Sequence, residues 1–416
     1  MYSMERPNDS GAFVLSFMTE IVERIFSHLS AKQLLSSACV CHLWRAVSMR
    51  ILRSRQVVEW VSSIADEGME SESWNDSDDW ALVRALAQRL QTVQAVPQFV
   101  FYVADSEHCL QPPRSHRVRR AKKKARLEFA CMMATRIETL LPDDCHTVGL
   151  ASPGVIVTDD PECHPVELEK EEGGFALLFP EMEGVRVKSF TFSRAFRITA
   201  KKLQQMGLLG EPELRAVLLF AFGSAITGFD SAWSWRKCSE LASFIDQPGV
   251  ILAGGQVDQL LSPSHLFGKA GVLCISISGS AVRAASLLLD SDVSSFEQAE
   301  NQLRGTALEP TPTLAFMFSC VGRGQMYYDR LFNVEADAFH RVYPKTPLFG
   351  FFGNGECGRS RNVWNLPGTS NSKDGSQDGS SQKLLHSFTT AFAFLHFGEP
   401  VLMARCTVDD NHLTTK

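Results

Sequence analysis

No apolar run in this 416-residue chain reaches the ~18 residues that a membrane-spanning helix needs. Runs such as residues 216–222 and 313–321 have the length of buried strands, so no membrane partner is expected. The opening residues, MYSMERPNDSGAF, carry neither the basic nor the apolar region of a secretory signal. Eleven cysteines are present without a CxxC pair or a regular framework, a pattern of reduced thiols that places the chain in the cytoplasm and nucleus. There is no GxSxG elbow, no GxxxxGK[ST] loop and no HExxH, and the histidines fall at no metal-binding spacing. No catalytic residue, metal or cofactor is therefore assigned. A net charge of −6, with 21% charged and 44% apolar residues, is that of an ordinary globular protein, and nothing global points to nucleic acid. A chain of this length suffices for two or three domains with sizeable cores.

What is present is organised around residues 17–45, FMTEIVERIFSHLSAKQLLSSACVCHLWR. Ile21, Val22, Ile25, Phe26 and Leu29 form one stripe at helical spacing, Leu34, Leu35 and Ala38 a second, and Val40, Cys41, Trp44 and Val47 a third. Three helices this short cannot enclose a core alone, and stripes this wide leave apolar surface over. That surface fits either a partner-binding face or a cap packed on the rest of the chain. Downstream, residues 57–64 read as a strand or short helix. Residues 66–79 hold seven acidic residues and no basic one, as in a solvated connection, and a helix follows over 80–90.

From Phe99 onward one pattern occurs three times: an apolar strand, a loop of small residues, an amphipathic helix, and a second strand ending in a glycine turn. The units run from PQFVFYVADS to HTVGLASPGVIV, from ELRAVLLFAFGSA to GVILAGGQVD, and from TPTLAFMFSCVGRG to TPLFGFFGNGECG. The first is longer by roughly a basic insertion; the third unit's helix is expected from about Gln325. Such alternation predicts α/β units whose strands are buried on both faces. Strand pairs within 173–192 and 271–289 are placed to extend the sheets. Residues 367–383 hold no aliphatic or aromatic side chain and predict a loop outside any core; 384–397 return as a closing strand or helix. The fold class is α+β or α/β and multidomain: a small three-helix N-terminal hook, then a larger α/β body of strand–helix–strand units.

Two resemblances sharpen this. Glu20-Ile21, Ile25-Phe26, Leu29, Leu34-Leu35, Ala38 and Val40-Cys41-x-x-Trp44-Arg45 resemble the F-box in order and spacing, with Phe17-Met18 where that family has Leu-Pro. The resemblance implies docking onto a Skp-type adaptor through Phe17, Met18, Ile21, Ile25, Leu29, Leu34, Val40 and Trp44. GLASPGVIV, ILAGGQVD, AFMFSCVGRG and PLFGFFGNGECG resemble the FIST domain pair, which implies a recognition body. The expected domains are an F-box over 11–56, an acidic linker and helix over 57–92, FIST-like domains over 93–290 and 291–400, and a tail over 401–416. Together they imply a non-catalytic substrate receptor of an SCF-type ubiquitin ligase, partnered by adaptor, cullin scaffold and RING subunit, which delivers protein substrates, nuclear ones among them, to proteasomal degradation.

Three constellations compete for the body's function. Gly353-Asn354-Gly355-Glu356-Cys357-Gly358 fits GxGxxG after a strand, but no helix follows to hold a pyrophosphate, so a packing turn is the better reading. Cys320 ends a buried strand beside Arg323 and the expected helix start, a setting that lowers a thiol pKa; a small inert core residue fits as well. Parallel strands joined by a right-handed crossover would bring Cys320, Gly322, Arg323 and Gly324 opposite Gly353, Gly355 and Glu356 as a substrate- or ligand-binding site. Glu335, Asp337 and Glu356 could also meet there. The alternative to the adaptor reading is a small-ligand or redox sensor, or a thiol enzyme, built around Cys320. The third is the run 114–126, eight basic residues in thirteen. With Arg119, Arg120, Lys122, Lys123, Lys124 and Arg126 at its centre and no aromatic residue interleaved, it reads as a nuclear-import signal rather than a nucleic-acid patch.

Overall fold

The structure, a computed structural model, describes residues 15, 18–64, 80–111, 123–160, 164–223, 228–263, 270–364 and 383–398. The acidic run 66–79, nearly all of the loop 367–383, and the tail 401–416 lie outside the described residues.

The hook is three helices, α1 (Thr19–Phe26), α2 (Ala31–Ser37) and α3 (His42–Ser54). Ser30 starts α2 with a reciprocal capping pair: its Oγ accepts from the Gln33 N–H at 3.4 Å, and its own N–H donates to Gln33 Oε1 at 2.9 Å. Cys41 starts α3, its Sγ accepting from the Trp44 N–H at 3.5 Å. Each stripe divides between two sides. Val22, Phe26, Leu34, Val47 and Ile51 bury into a small core, with the Trp44 ring edge-on to Phe26 at 5.1 Å. The hook is fastened to the body by Arg55, which donates to the Leu29 and Gln94 carbonyls at 2.8 Å each, and by the Ala31 N–H on the Val93 carbonyl at 2.8 Å.

The body begins with β1 (Glu59–Ile64) and α4 (Ala81–Arg89). The first unit is β2 (Pro97–Asp105), α5 (Lys123–Leu140) and β3 (His146–Ser152), followed by β4 (Gly154–Val157), β5 (Val166–Leu168) and the pair β6 (Gly173–Pro180) and β7 (Arg186–Ser193). The second is β8 (Leu214–Gly223), α6 (Gly228–Ile245) and β9 (Ile251–Val257), then β10 (Gln259–Leu261), β11 (Ala270–Ser278) and β12 (Val282–Leu289). After α7 (Phe296–Arg304) comes the third, β13 (Leu314–Cys320), α8 (Val334–Val342) and β14 (Leu348–Gly353), then β15 (Glu356–Gly358), β16 (Arg361–Val363), β17 (Leu385–His386) and β18 (Thr390–Phe397). In every unit the two main strands are parallel neighbours, as the strand–helix–strand reading requires.

Three sheets result, ordered β1-β6-β2-β3-β10, β17-β15-β9-β8-β11-β7 and β16-β12-β18-β13-β14-β4-β5. Their common five-strand plan repeats around a ring, because the strand after each unit's glycine turn crosses to another sheet. β4 leaves the first unit to pair with β14, β10 leaves the second to pair with β3, and β15 leaves the third to pair with β9, all antiparallel. The inward faces meet in one core in which Phe101 stacks on Phe220 at 5.6 Å and Phe318 tilts against Phe351 at 4.9 Å. Helices cover the outer faces: α4 and α5 the first sheet, α6 the second, α7 and α8 the third. The recurring glycine of the second strand has one cause. Gly149, Gly254 and Gly350 stand directly opposite Tyr102, Leu219 and Met317, and a side-chain carbon there would enter the Tyr102 ring or the Leu219 and Met317 carbonyls.

Three expectations change. Residues 57–64 form a strand, β1, paired with β6 along its whole length, and α4 buries Leu82, Val83 and Leu86 on the first sheet, so both ends of the expected 57–92 linker belong to the body. Strands also cross the division expected at residue 290, since β4 and β12 both serve the third sheet. No helix starts at Gln325: a 3₁₀ turn over Val321–Arg323 leads into a looped stretch, and α8 starts at Val334. Asp329, Arg330 and Asn333 hold φ of 51°, 71° and 57°, left-handed values that break a right-handed helix.

Candidate functional site

Two surfaces follow from this architecture. On the hook, Met18, Ile21, Ile25 and Val40 are exposed, and so is Leu35, which the sequence reading did not select. Leu29 and Trp44 are half-buried, Leu34 is buried in the hook's own core, and Phe17 lies outside the described residues. Helical spacing alone does not tell Leu34 from Leu35; the capped start of α2 turns Leu34 inward.

The second surface is the end of the third unit. Cys320 pairs with Gly353 across the parallel ladder of β13 and β14, so the two glycine-bearing loops do face each other. Their chemistry differs from the sequence reading. Arg323 points inward and is 1% exposed. Its Nε and Nη2 donate to Glu335 Oε1 at 2.9 and 2.6 Å, Nη2 to Tyr328 Oη at 2.7 Å, and the guanidinium also reaches the Asp290, Val293 and Phe388 carbonyls. A guanidinium so occupied has no donor left for a ligand. The Gly353–Gly355 turn is a packing device: the Asn354 N–H donates to the Gln256 carbonyl at 3.0 Å, and the Gln256 N–H returns to the Gly355 carbonyl at 2.9 Å, joining the second and third sheets. Gly322 lies under the Phe388 ring and Gly324 against the Glu169 carboxylate, whose Oε1 takes the Gln325 N–H.

Cys320 itself is buried beside Glu356. Burial, then the neighbouring Glu356 carboxyl, pushes the thiol up rather than down, because no helix N-terminus or free guanidinium reaches it. Glu335 and Glu356 hold adjacent residues of the chain: Glu335 Oε2 accepts from Thr390 Oγ1 at 2.6 Å, and Glu356 Oε2 from the N–H and hydroxyl of Thr389 at 3.3 and 2.8 Å. Asp337 faces His164 at 3.9 Å instead.

Glu356 Oε1 is buried without a hydrogen-bond partner among the described residues. Burial pushes its carboxyl up to about 7, against the pull of the Thr389 bonds. The folded chain then keeps a proton that the unfolded carboxyl gives up near its ordinary value of about 4.3. Stability should be greatest below that value, fall as pH rises toward 7, and level off above, by up to about 3 kcal/mol. Glu356→Gln should flatten that slope in urea titrations from pH 4.5 to 8; an unchanged slope would assign the dependence elsewhere.

What the loops do present is apolar. Val321, Met326, Leu331, Phe332 and Phe388 are all exposed, Met326 at 77% and Phe332 at 67%. Beneath the surface lies the buried Arg323–Glu335 pair, and Phe388 holds a left-handed φ of 61°. The sequence hid it: Met326, Leu331 and Phe332 fall in the stretch expected to be helix from about Gln325. Of the basic run, Arg119, Arg120 and Lys122 lie outside the described residues; Lys123 and Lys124 start α5, and half-buried Arg126 donates to the Ser106 carbonyl at 3.4 Å.

Residues 19–57 match the F-box-like family model and residues 276–359 the FIST C domain model. F-box only protein 22 of Pongo abelii is 38% identical over 402 residues, covering 93% of this chain and 94% of that protein. Its Homo sapiens counterpart is 37% identical over 403 residues with the same coverage. A solved structure of a cyanuric acid hydrolase from A. caulinodans, 9% identical, covers 82% of this chain and 99% of its own, with a TM-score of 0.37 on which no reading rests. With an F-box hook, a FIST-type body and relatives of this identity along nearly the whole length, the chain belongs to the F-box only protein 22 family.

Proposed function

We propose that the chain is the substrate-recognition subunit of an SCF-type ubiquitin ligase: the hook holds a Skp-type adaptor, and the body holds the protein to be ubiquitinated. The observation that carries the reading is the division of the hook's stripes. Val22, Phe26 and Leu34 satisfy its own core, and Met18, Ile21, Ile25, Leu35 and Val40 remain as an outward apolar face. The chain's contribution is proximity. Held between adaptor and substrate, it converts a bimolecular transfer into a local one at high effective concentration, and the associated RING subunit and conjugating enzyme supply the chemistry.

Substrate capture is assigned to the apolar end of the third unit, Val321, Met326, Leu331, Phe332 and Phe388, an exposed patch suited to an apolar face of a folded protein. A thiol-centred reading loses support because burial and Glu356 keep Cys320 protonated. Ile21→Asp with Ile25→Asp should weaken adaptor binding by roughly 30-fold or more, since each places a charge in the interface core; undiminished co-purification of adaptor and cullin would end the reading. Met326→Ser with Phe332→Ser should retain the adaptor but lose the proteins that accumulate around the chain, by proximity labelling, when residues 17–45 are deleted. If those proteins persist, capture lies elsewhere on the body.

A further inference from the structure

Between the hook and the ring lies a joint that neither the adaptor face nor the capture patch touches. Residues 55–58 alone connect α3 to β1. At ~3.3–3.6 Å per residue, a free connector of that length would let the hook swing over roughly 14 Å. The joint is not free. The turn between α4 and β2, residues 91–95, forms a socket for three parts of the hook. At the start of α2, the Ala31 N–H reaches the Val93 carbonyl at 2.8 Å and Lys32 Nζ reaches Gln91 Oε1 at 2.6 Å. Leu52 of α3 packs both in the hook's core and against the cluster outside the first sheet. Half-buried Arg55, at the end of α3, makes three bonds of 2.8 Å, from Nη1 to the Leu29 and Gln94 carbonyls and from Nη2 to the Ser27 carbonyl. Glu59 fixes the same turn from the body's side. Its Oε1 accepts from the Gln94 and Ala95 N–H groups at 2.6 and 3.2 Å, and its Oε2 from Arg89 at 3.0 Å.

We infer that hook and ring turn as one body, and that Arg55 is the positioning residue that sets the angle between them. Its guanidinium joins three elements: it is carried by the end of α3, and it holds both the carbonyls just past α1 and the socket turn. The negative end of the α1 dipole favours a cation at that place. α1 bears Ile21 and Ile25, so the side chain that closes α1 onto the body also aims the adaptor face. A planar guanidinium serves the three carbonyls in fixed directions, whereas a lysine ammonium is a point charge on a flexible stem. The other side-chain bonds across the joint, Lys32 to Gln91 and the Glu183 N–H to Gln56 Oε1 at 2.9 Å, are exposed and rest on flexible chains. The consequence for transfer rests on the ligase reading above. Effective concentration depends on the volume that tethered ends explore, so a fixed angle confines ubiquitin to lysines at one place on the body or on the protein it holds.

The test uses the full chain with spin labels on unnatural residues at two exposed positions, Ala46 of the hook and Lys345 of the body, and reads the distribution of distances between them. The parent should give one narrow distribution. Arg55→Met and Glu59→Ala should each broaden it about twofold or more, with Arg55→Lys between. Glu59→Ala alters only the body's side of the joint, so broadening there does not come from misfolding of the hook. A second readout is transfer by the chain assembled with Skp-type adaptor, cullin, RING subunit and charged conjugating enzyme, with the chain's own lysines as acceptors. Both variants should bind the adaptor within about threefold of the parent, lose about threefold or more in transfer rate at saturating adaptor, and spread ubiquitin over more lysines. Gly350→Ala, which strains the third sheet and leaves the joint intact, should keep the parent's lysine pattern, a split that lost stability alone does not produce. A parent distribution as broad as the variants', or variants with the parent's distribution and lysine pattern, overturns the inference. Loss of the adaptor by Arg55→Met with no broadening in Glu59→Ala would assign Arg55 to the hook's own fold and overturn it too. A parent that binds no adaptor would end the ligase reading, while the distance distributions would still decide the joint.

Discussion

Exchange of Arg323 for methionine is expected to lower the stability of the folded chain by about 3–5 kcal/mol, the usual cost of removing one partner from a buried ion pair. Methionine fills much of the volume, so the loss is electrostatic. Glu335, 1% exposed, would keep its bonds from Tyr328 and Thr390 but no compensating charge, and the Asp290, Val293 and Phe388 carbonyls would each lose a donor. The urea midpoint should fall with an unchanged m-value. Pairing it with Glu335→Gln should recover part of the loss, because the stranded charge is gone. A shift of less than about 1 kcal/mol would mean that the guanidinium is dispensable to the fold, which would return it to the list of residues able to serve a ligand.

Gly350→Ala should cost about 3 kcal/mol or more, although it adds one methyl group. Gly350 stands opposite Met317 in the ladder between β13 and β14, and the new carbon would be driven into the Met317 carbonyl, which is backbone and cannot rotate away. Relief would require the strands to separate at the centre of the third sheet, against Phe318 and Phe351. Gly249, with nothing within 4 Å of where its side chain would grow, is the matched control, and Gly249→Ala should lie within about 0.5 kcal/mol of the parent. Equal midpoints for the two variants would show that the ladder relaxes locally.

The three units were legible because their strands are continuous apolar runs and each second strand carries a glycine that steric contact with its partner explains. The hook was legible for a similar reason: its stripes recur at helical spacing. What stayed hidden depended on contacts between residues far apart in the chain. Nothing near Arg323 in sequence announces that Tyr328 and Glu335 will curl back to enclose it. A dense MYYDRLF stretch reads as helix until the left-handed Asp329 and Arg330 are seen. Cys320 looked activated because a guanidinium and a helix start were expected beside it; both are engaged or absent in the fold, and burial beside Glu356 acts in the opposite direction. The exchange of β4, β10 and β15 between sheets leaves no trace in periodicity, since a strand of three or four residues has the same pattern wherever it pairs.

That exchange bears on how the chain is made and cut. The first sheet lacks an edge until β10 emerges from the ribosome, well past the middle of the chain, and the second until β15, which lies in the last quarter. A piece limited to residues 276–359 would carry β14 without β4 and β15 without β9, with bare edges on both. Truncations that remove one such unit therefore delete pairing from its neighbours, and loss of binding by a fragment of the body reports collapse of the ring rather than removal of a contact.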